Sequence, residues 1–139
     1  MKVVRHYPTP GVPLVLDCGK FADHIFYAGG FPGSLMVVDS RLSKPVYDYL
    51  VGKDAVTCVG DSPSDERVVG VGDRGGGVSL LDLRSRKVRI HWEAHVPKTT
   101  LSKPRGVVGV FEDEPDMWIT AGCNDSCLRK WDLGEAGNH

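Results

Sequence analysis

Alternating apolar and polar residues near the C-terminal end of the chain predict a β-hairpin. Met117–Ala121 is rich in β-branched and aromatic residues, and every second residue of Cys127–Trp131 lies on the same side of an extended chain. Such alternation is typical of a half-buried strand. The residues between these two runs, Asn124-Asp125-Ser126, favour tight turns. The pattern therefore predicts two short strands joined by a polar turn.

The same hairpin pattern occurs twice more along the chain. Each copy has a glycine followed ten residues later by an aspartate: Gly29 and Asp39, Gly72 and Asp82, Gly122 and Asp132. The first two glycines are 43 residues apart and the last two are 50 apart. A period in this range indicates an array of structural repeats.

Short apolar runs between turn-forming residues indicate an all-β fold. Seventeen glycines and nine prolines interrupt the chain, and no segment of ten or more residues shows helical periodicity. The predicted strands are Lys2–Tyr7, Pro13–Cys18, His24–Gly29, Leu35–Asp39, Pro45–Leu50, Ala55–Val59, Arg67–Gly72, Val78–Leu83, Lys87–Trp92, Gly106–Phe111, Met117–Gly122 and Leu128–Leu133.

These hairpins resemble the WD-repeat family of β-propellers over nearly the whole chain. That family places a small residue and glycine at the end of strand b, an aspartate in the following turn, and Trp-Asp at the end of strand c. The third copy matches these features most closely, with Ala121-Gly122, Asp125 and Trp131-Asp132. The two earlier copies keep the glycine and the final aspartate but carry Val38 and Leu81 instead of tryptophan.

The resemblance implies a partial propeller of three WD-like four-stranded blades. Its predicted divisions are a leftover outer strand and loop (1–11), blade one (12–52), blade two (53–95), blade three without its own outer strand (96–133), and a tail (134–139). Closed propellers have four to eight blades, and each blade covers its apolar faces only against its neighbours. We therefore expect the remaining blades to come from a longer chain, a second copy or another subunit.

The resemblance also implies a hydrogen-bonded set in the third blade, formed by His95, Thr120, Asp125 and Trp131. A buried imidazole needs partners for both of its nitrogens, and an aspartate and a threonine can supply them. A threonine, a histidine and an aspartate could also be catalytic. We favour a structural role, because the resemblance implies a buried brace without an open pocket, and we expect no catalytic residues.

Composition and charge narrow the function classes further. The net charge of −1 favours no particular partner, and no apolar run approaches the roughly 20 residues of a membrane helix. The N-terminus lacks a signal-peptide core, so we expect an intracellular protein, cytoplasmic or nuclear, without a membrane partner. The four cysteines are interpreted as free thiols, and no metal or cofactor is expected: Cys18, Cys58, Cys123 and Cys127.

Three functional hypotheses remain open. The first, implied by the resemblance, is a non-catalytic protein–protein interaction scaffold that binds partners through a loop face and its blade edges. The second is a substrate receptor of a cullin-RING ubiquitin ligase, suggested by Asp-x-Arg sequences that end at Arg41 and Arg84. The third is a nucleic-acid or ribonucleoprotein-associated module. The predicted binding face for the first and third is a mildly basic rim: Phe31, Lys53, Arg74, Lys98, Lys103 and Arg105.

Overall fold

Three antiparallel sheets make up the part of the chain that the computed structural model describes, residues 1–20, 23–96 and 105–136. The first sheet contains β1 (Val12–Cys18), β2 (Ile25–Phe31), β3 (Ser34–Asp39) and β4 (Tyr47–Leu50). The second contains β5 (Val56–Asp61), β6 (Val68–Asp73), β7 (Gly77–Asp82) and β8 (Lys87–Glu93). The third contains β9 (Val107–Glu114), β10 (Met117–Gly122) and β11 (Cys127–Asp132), and a short helix α1 (Leu133–Ala136) follows it.

Each sheet is a meander in which strands adjacent in sequence are hydrogen-bonded to each other. The all-β prediction is confirmed, as is the third sheet's lack of a fourth strand within the described residues. The predicted bounds differ most at β9, which continues to Glu114, three residues beyond the predicted end at Phe111. Because the third sheet stops at β11, the outer edge of this strand has no neighbour in its own sheet.

The predicted N-terminal strand, Lys2–Tyr7, is not formed, so this part of the fold prediction is wrong. A strand requires backbone hydrogen bonds to a neighbouring strand, whereas side chains attach this segment to the loop after β3. Arg5 Nε donates to Ser40 O at 3.0 Å, and the Tyr7 hydroxyl donates to Leu42 O. The segment therefore lies against the first sheet without extending it.

The first three strands of the second sheet, β5 to β7, are buried on both faces. Their Val69, Val71 and Leu81 pack into a core shared with the first sheet. Their Val68, Val78 and Leu80 pack on the opposite side, against the third sheet. We call the side that packs on the following sheet the leading face, and the side that packs on the preceding sheet the trailing face. Alternation along each strand supplies both faces with apolar side chains.

Leading face meets trailing face at both interfaces between sheets. The first sheet contributes Tyr27, Leu35 and Val37 from its leading face, and the third contributes Val110 and Trp118 from its trailing face. The same packing step is thus used twice. It leaves two outer surfaces, the trailing face of the first sheet and the leading face of the third, without a neighbouring sheet in the described chain.

The glycine of the third hairpin lies one residue further along its strand than the glycines of the first two hairpins, when each is counted from the residue paired with the strand-end aspartate. Gly29 and Gly72 each lie four residues beyond the residue paired with the strand-end aspartate, whereas Gly122 lies five beyond Met117, the partner of Asp132. A one-residue change reverses the face on which a strand residue lies. Gly122 therefore belongs to the trailing face, whereas Gly29 and Gly72 belong to leading faces.

Candidate functional site

The four side chains predicted to form a hydrogen-bonded set are brought together in the third sheet. His95 Nδ1 lies 3.0 Å from Asp125 Oδ1, and His95 Nε2 lies 2.7 Å from Thr120 Oγ1. Trp131 Nε1 donates to the same hydroxyl oxygen at 2.8 Å. His95 comes from the segment after β8, whereas the others come from β10, β11 and the turn between them. We call these four residues the brace.

Donor and acceptor capacities fix the direction of the hydrogen bonds in the brace. The Asp125 carboxylate can only accept, so the imidazole proton is assigned to Nδ1, which donates to it. In a neutral imidazole Nε2 is then an acceptor and takes the hydroxyl proton of Thr120, whose Oγ1 also accepts the indole N–H of Trp131. The brace is therefore one continuous chain of hydrogen bonds.

Arg129 is a further member that the resemblance did not include. Its Nη1 donates to Asp125 Oδ2 and, at 3.0 Å, to the carbonyl oxygen of Ala94. Burial by itself would raise the pKa of the Asp125 carboxyl, but hydrogen bonds from Arg129 and His95 outweigh burial and lower this pKa to about 2. The alternation of β11 could have identified Arg129, since it shares the face of Trp131.

Backbone hydrogen bonds fix the surroundings of the brace, both at the start of β9 and at the second sheet. Asn124 Oδ1 accepts the backbone N–H groups of Arg105 and Gly106 at 3.1 and 3.0 Å, and the N–H of His95 donates to the carbonyl of Gly76 at 2.8 Å. A Cβ atom on Gly122 would lie 2.4 Å from Cγ of His95. Glycine is therefore required at position 122 to make room for the imidazole.

Three of the four brace residues are closed off from solvent. His95 and Thr120 are fully buried, and Asp125 is 6% exposed. The Thr120 hydroxyl uses its proton inside the set, and the imidazole has a protein partner at each nitrogen. To reach either group, a substrate would have to break one of these buried hydrogen bonds. That would leave a buried donor or acceptor without a partner, which is energetically unfavourable.

We predict that the stabilisation provided by the Asp125 carboxylate is lost in acid. Its pKa is about 2 in the folded protein, below the ordinary value of 3.8. A lowered pKa means that the contribution is complete above the ordinary value and disappears as the pH falls from about 4 to 2. Urea unfolding of the parent and of Asp125→Asn should therefore show a stability gap at pH 6 that narrows towards pH 2. A gap that stays constant or widens would contradict the prediction.

A second buried polar network joins the second and third sheets through two acidic runs of the sequence, 61–66 and 112–116. Glu112 is 4% exposed, and its Oε1 accepts hydrogen bonds from the hydroxyls of Ser62 and Ser64 at 2.7 and 2.6 Å. The backbone N–H of Ser64 donates to the same oxygen. Because Ser62 is itself buried, this acidic run holds two sheets together and does not form a free loop tip.

The residues of the predicted basic rim separate into two places. Arg74 and Arg105 lie on either side of Asn124, which donates to the carbonyl of one and accepts from the N–H of the other. Phe31 is exposed at the end of β2, and Lys53 is exposed in the segment between β4 and β5. Two further rim residues, Lys98 and Lys103, lie outside the described residues.

The repeat-defining aspartates end the third strand of each sheet. Asp39 closes β3, Asp82 closes β7 and Asp132 closes β11. Hydrogen bonds from the Arg41 side chain and backbone lower the pKa of Asp39 to about 2, and Asp82 accepts the N–H groups of Arg84 and Ser85. The role common to the first two aspartates is to hold the backbone where it leaves the strand.

Neither a metal-binding cluster nor a membrane-spanning helix is found within the described ranges. Among those residues, no group of three or more histidine, cysteine, aspartate or glutamate side chains is arranged to hold a metal ion. The four cysteines are free, and burial raises the pKa of the Cys58 thiol to about 12. No helix within the described part of the chain has the length and apolar character needed to cross a membrane.

The fold and the brace together define an all-β protein built from repeated antiparallel sheets, with a buried hydrogen-bonded set in the third. Comparison with known protein families and with curated proteins finds no match to this chain.

Proposed function

We propose that this chain is part of a WD-repeat-type β-propeller that acts as a non-catalytic protein-binding scaffold. The repeated packing of leading face on trailing face supports the propeller, because continuing the same step would arrange further sheets in a ring. The brace supports the kinship with WD repeats, since it joins His95, Thr120, Asp125 and Trp131. Fold alone does not specify function, so the binding role must rest on exposed surface.

The observation that carries the scaffold role is the pair of open apolar faces. On the leading face of the third sheet, Phe111 is 50% exposed and Leu128 is 69% exposed, even though the Lys20 ammonium lies over the Phe111 ring. On the trailing face of the first sheet, Leu16 is 72% exposed and Phe26 is 37% exposed. Several large apolar side chains left exposed on one face of a sheet are typical of an interaction site.

The partner that fits the third sheet is a trailing face like that of the first sheet. Such a face is carried by this chain itself, so the occupant proposed for residues 1–139 on their own is a second copy. The unpaired edge of β11 adds a row of backbone donors and acceptors beside the same surface. Other proteins would bind at the exposed turns and edges of the assembled sheets.

We predict that residues 1–139 self-associate and that Leu128→Glu prevents it. The glutamate would place a charge in the apolar interface, where it loses hydration without gaining a partner. Sedimentation equilibrium should give a concentration-dependent mass above the 15.1 kDa of the single chain, and the variant should sediment at the single-chain mass.

The matched control is Leu42→Glu, which adds the same charge at a leucine that is 51% exposed in the loop after β3. This variant should associate like the parent. A parent protein that remains at 15.1 kDa at every concentration and unfolds cooperatively would overturn the proposed assembly. Equal association of both variants and the parent would exclude the leading face of the third sheet as the contact.

A further inference from the structure

The second sheet contains a cavity at the place where the third sheet holds its brace. In the third sheet the backbone N–H of His95 donates to the carbonyl of Gly76, a turn glycine of the second sheet. In the second sheet the N–H of Gly52 donates to the carbonyl of Gly33, the corresponding turn glycine of the first. Gly52 therefore occupies the position of His95, without an imidazole.

The space left by the missing ring is open. A Cβ atom added to Gly52 would meet no atom within 4 Å, and a cavity of about 240 Å³ lies beside it. Ser79 of the second sheet corresponds in position to Arg129 of the third, because each lies three residues before the aspartate that ends its strand. The second sheet thus lacks both of the planar nitrogen groups that face Asp125 in the third.

Carboxylates nevertheless surround the empty space. Asp54, Asp73 and Glu93 line the cavity with His91 and Ser79. A Cβ atom on Gly75, which occupies the turn position of Asp125, would lie 2.6 Å from Asp54 Oδ2, so a carboxylate already stands close to that turn. Burial, together with the charge of Asp54, raises the pKa of Asp73.

The other polar groups of the cavity are arranged around the same opening. The Ser79 hydroxyl lies 2.8 Å from His91 Nδ1, and His91 Nε2 lies 3.0 Å from Glu93 Oε1. Asp73 Oδ1 accepts the N–H of Gly77 at 2.9 Å. Lys53 is the lysine that lines the cavity, and it is exposed. Three carboxylates therefore outnumber the cationic groups that line the space.

We propose that this cavity binds a guanidinium group, supplied by an arginine side chain of a partner peptide. A guanidinium is planar, like the imidazole that fills the equivalent space, and its donors can bond two carboxylates at once. The cavity exceeds the space of one imidazole, and Val51, Val56 and Val71 offer apolar walls for the aliphatic part of the side chain. The inference does not depend on the proposed assembly, because the second sheet and the segment between β4 and β5 of one chain line the cavity.

The probe is N-acetyl-arginine methylamide, and the uncharged control is the matching citrulline compound, which has nearly the same shape. Titration followed by amide NMR should give saturable shifts at Gly52, Gly75 and Gly77 with the arginine compound. The citrulline compound should bind at least tenfold more weakly. Absence of saturable shifts at these glycines, or equal affinity of the two compounds, would overturn the proposal.

Two histidine variants test whether filling the cavity, and not merely adding a histidine to the protein, weakens arginine binding. Gly52→His introduces the missing imidazole and should weaken arginine binding at least tenfold. Gly109→His introduces the same side chain at another glycine whose added Cβ atom meets nothing within 4 Å, on the third sheet, and should bind like the parent. Asp73→Asn retains the acceptor for Gly77 and removes the charge, so it should also weaken binding. Undiminished binding by both Gly52→His and Asp73→Asn would refute the site.

Discussion

Replacing Trp118 by alanine is expected to lower the free energy of unfolding by about 3–5 kcal/mol. The indole is 1% exposed and belongs to the core between the second and third sheets. It packs so closely on the second sheet that a Cβ atom on Gly70 would lie 2.7 Å from the indole Cζ3. Truncation to alanine would leave a cavity that two rigid sheets cannot close.

The measurement is urea unfolding monitored by far-UV circular dichroism in the Leu128→Glu background, which is expected to remain a single chain, with Phe111→Ala as the matched control. Phe111 lies on β9, beside the strand of Trp118 but on the opposite face, and it is half-exposed. Its truncation should cost about 1 kcal/mol or less, because about half of the ring surface is already in contact with water in the single chain. Similar losses in the two variants would show that the third sheet does not pack by its trailing face.

Replacing His95 by alanine is expected to lower the free energy of unfolding by about 2–4 kcal/mol. The change empties a fully buried site and removes one hydrogen-bond partner from Thr120 and one from Asp125. Asp125 would keep its hydrogen bond from Arg129, which limits the loss to less than that of an isolated buried charge.

A double-mutant cycle tests whether the loss arises in the brace. His95→Ala and Asp125→Asn, separately and combined, should give an interaction energy of about 1 kcal/mol or more, because the two side chains share a hydrogen bond. His91→Ala, at a histidine whose side chain is 43% exposed, serves as the control and should cost about 1 kcal/mol or less. Additive losses in the cycle would contradict the continuous chain of hydrogen bonds.

Local patterning was sufficient to predict most strands. Met117–Gly122 is a strand over the predicted bounds, and Lys87–Trp92 differs from β8 by one residue. Alternation and turn residues determine these elements without reference to the rest of the chain. Lys2–Tyr7 has a similar local pattern but forms no strand, because strand formation depends on a neighbouring backbone, which local sequence does not specify.

The brace residues could be named from the resemblance, and the alternation of β11 places Arg129 on the same face as Trp131, but the second polar network could not be predicted. Glu112 is buried because Ser62 and Ser64 approach it from the second sheet. In the sequence Glu112 looks like an ordinary surface charge. Its partners lie in a loop of another sheet, up to 50 positions away.

The sequence by itself determined the all-β class and the three-fold repetition of the hairpin, and its resemblance to WD repeats implied His95, Thr120, Asp125 and Trp131 as a set. Only the tertiary structure decided which face of each sheet is covered. It also placed Gly122 on the opposite face from Gly29 and Gly72. The cavity beside Gly52 is likewise visible only in the folded protein. The physical reason is that the period of a strand is a local property, whereas burial depends on which sheet lies against it. A single residue added to a strand or turn changes that relation without altering the apolar pattern.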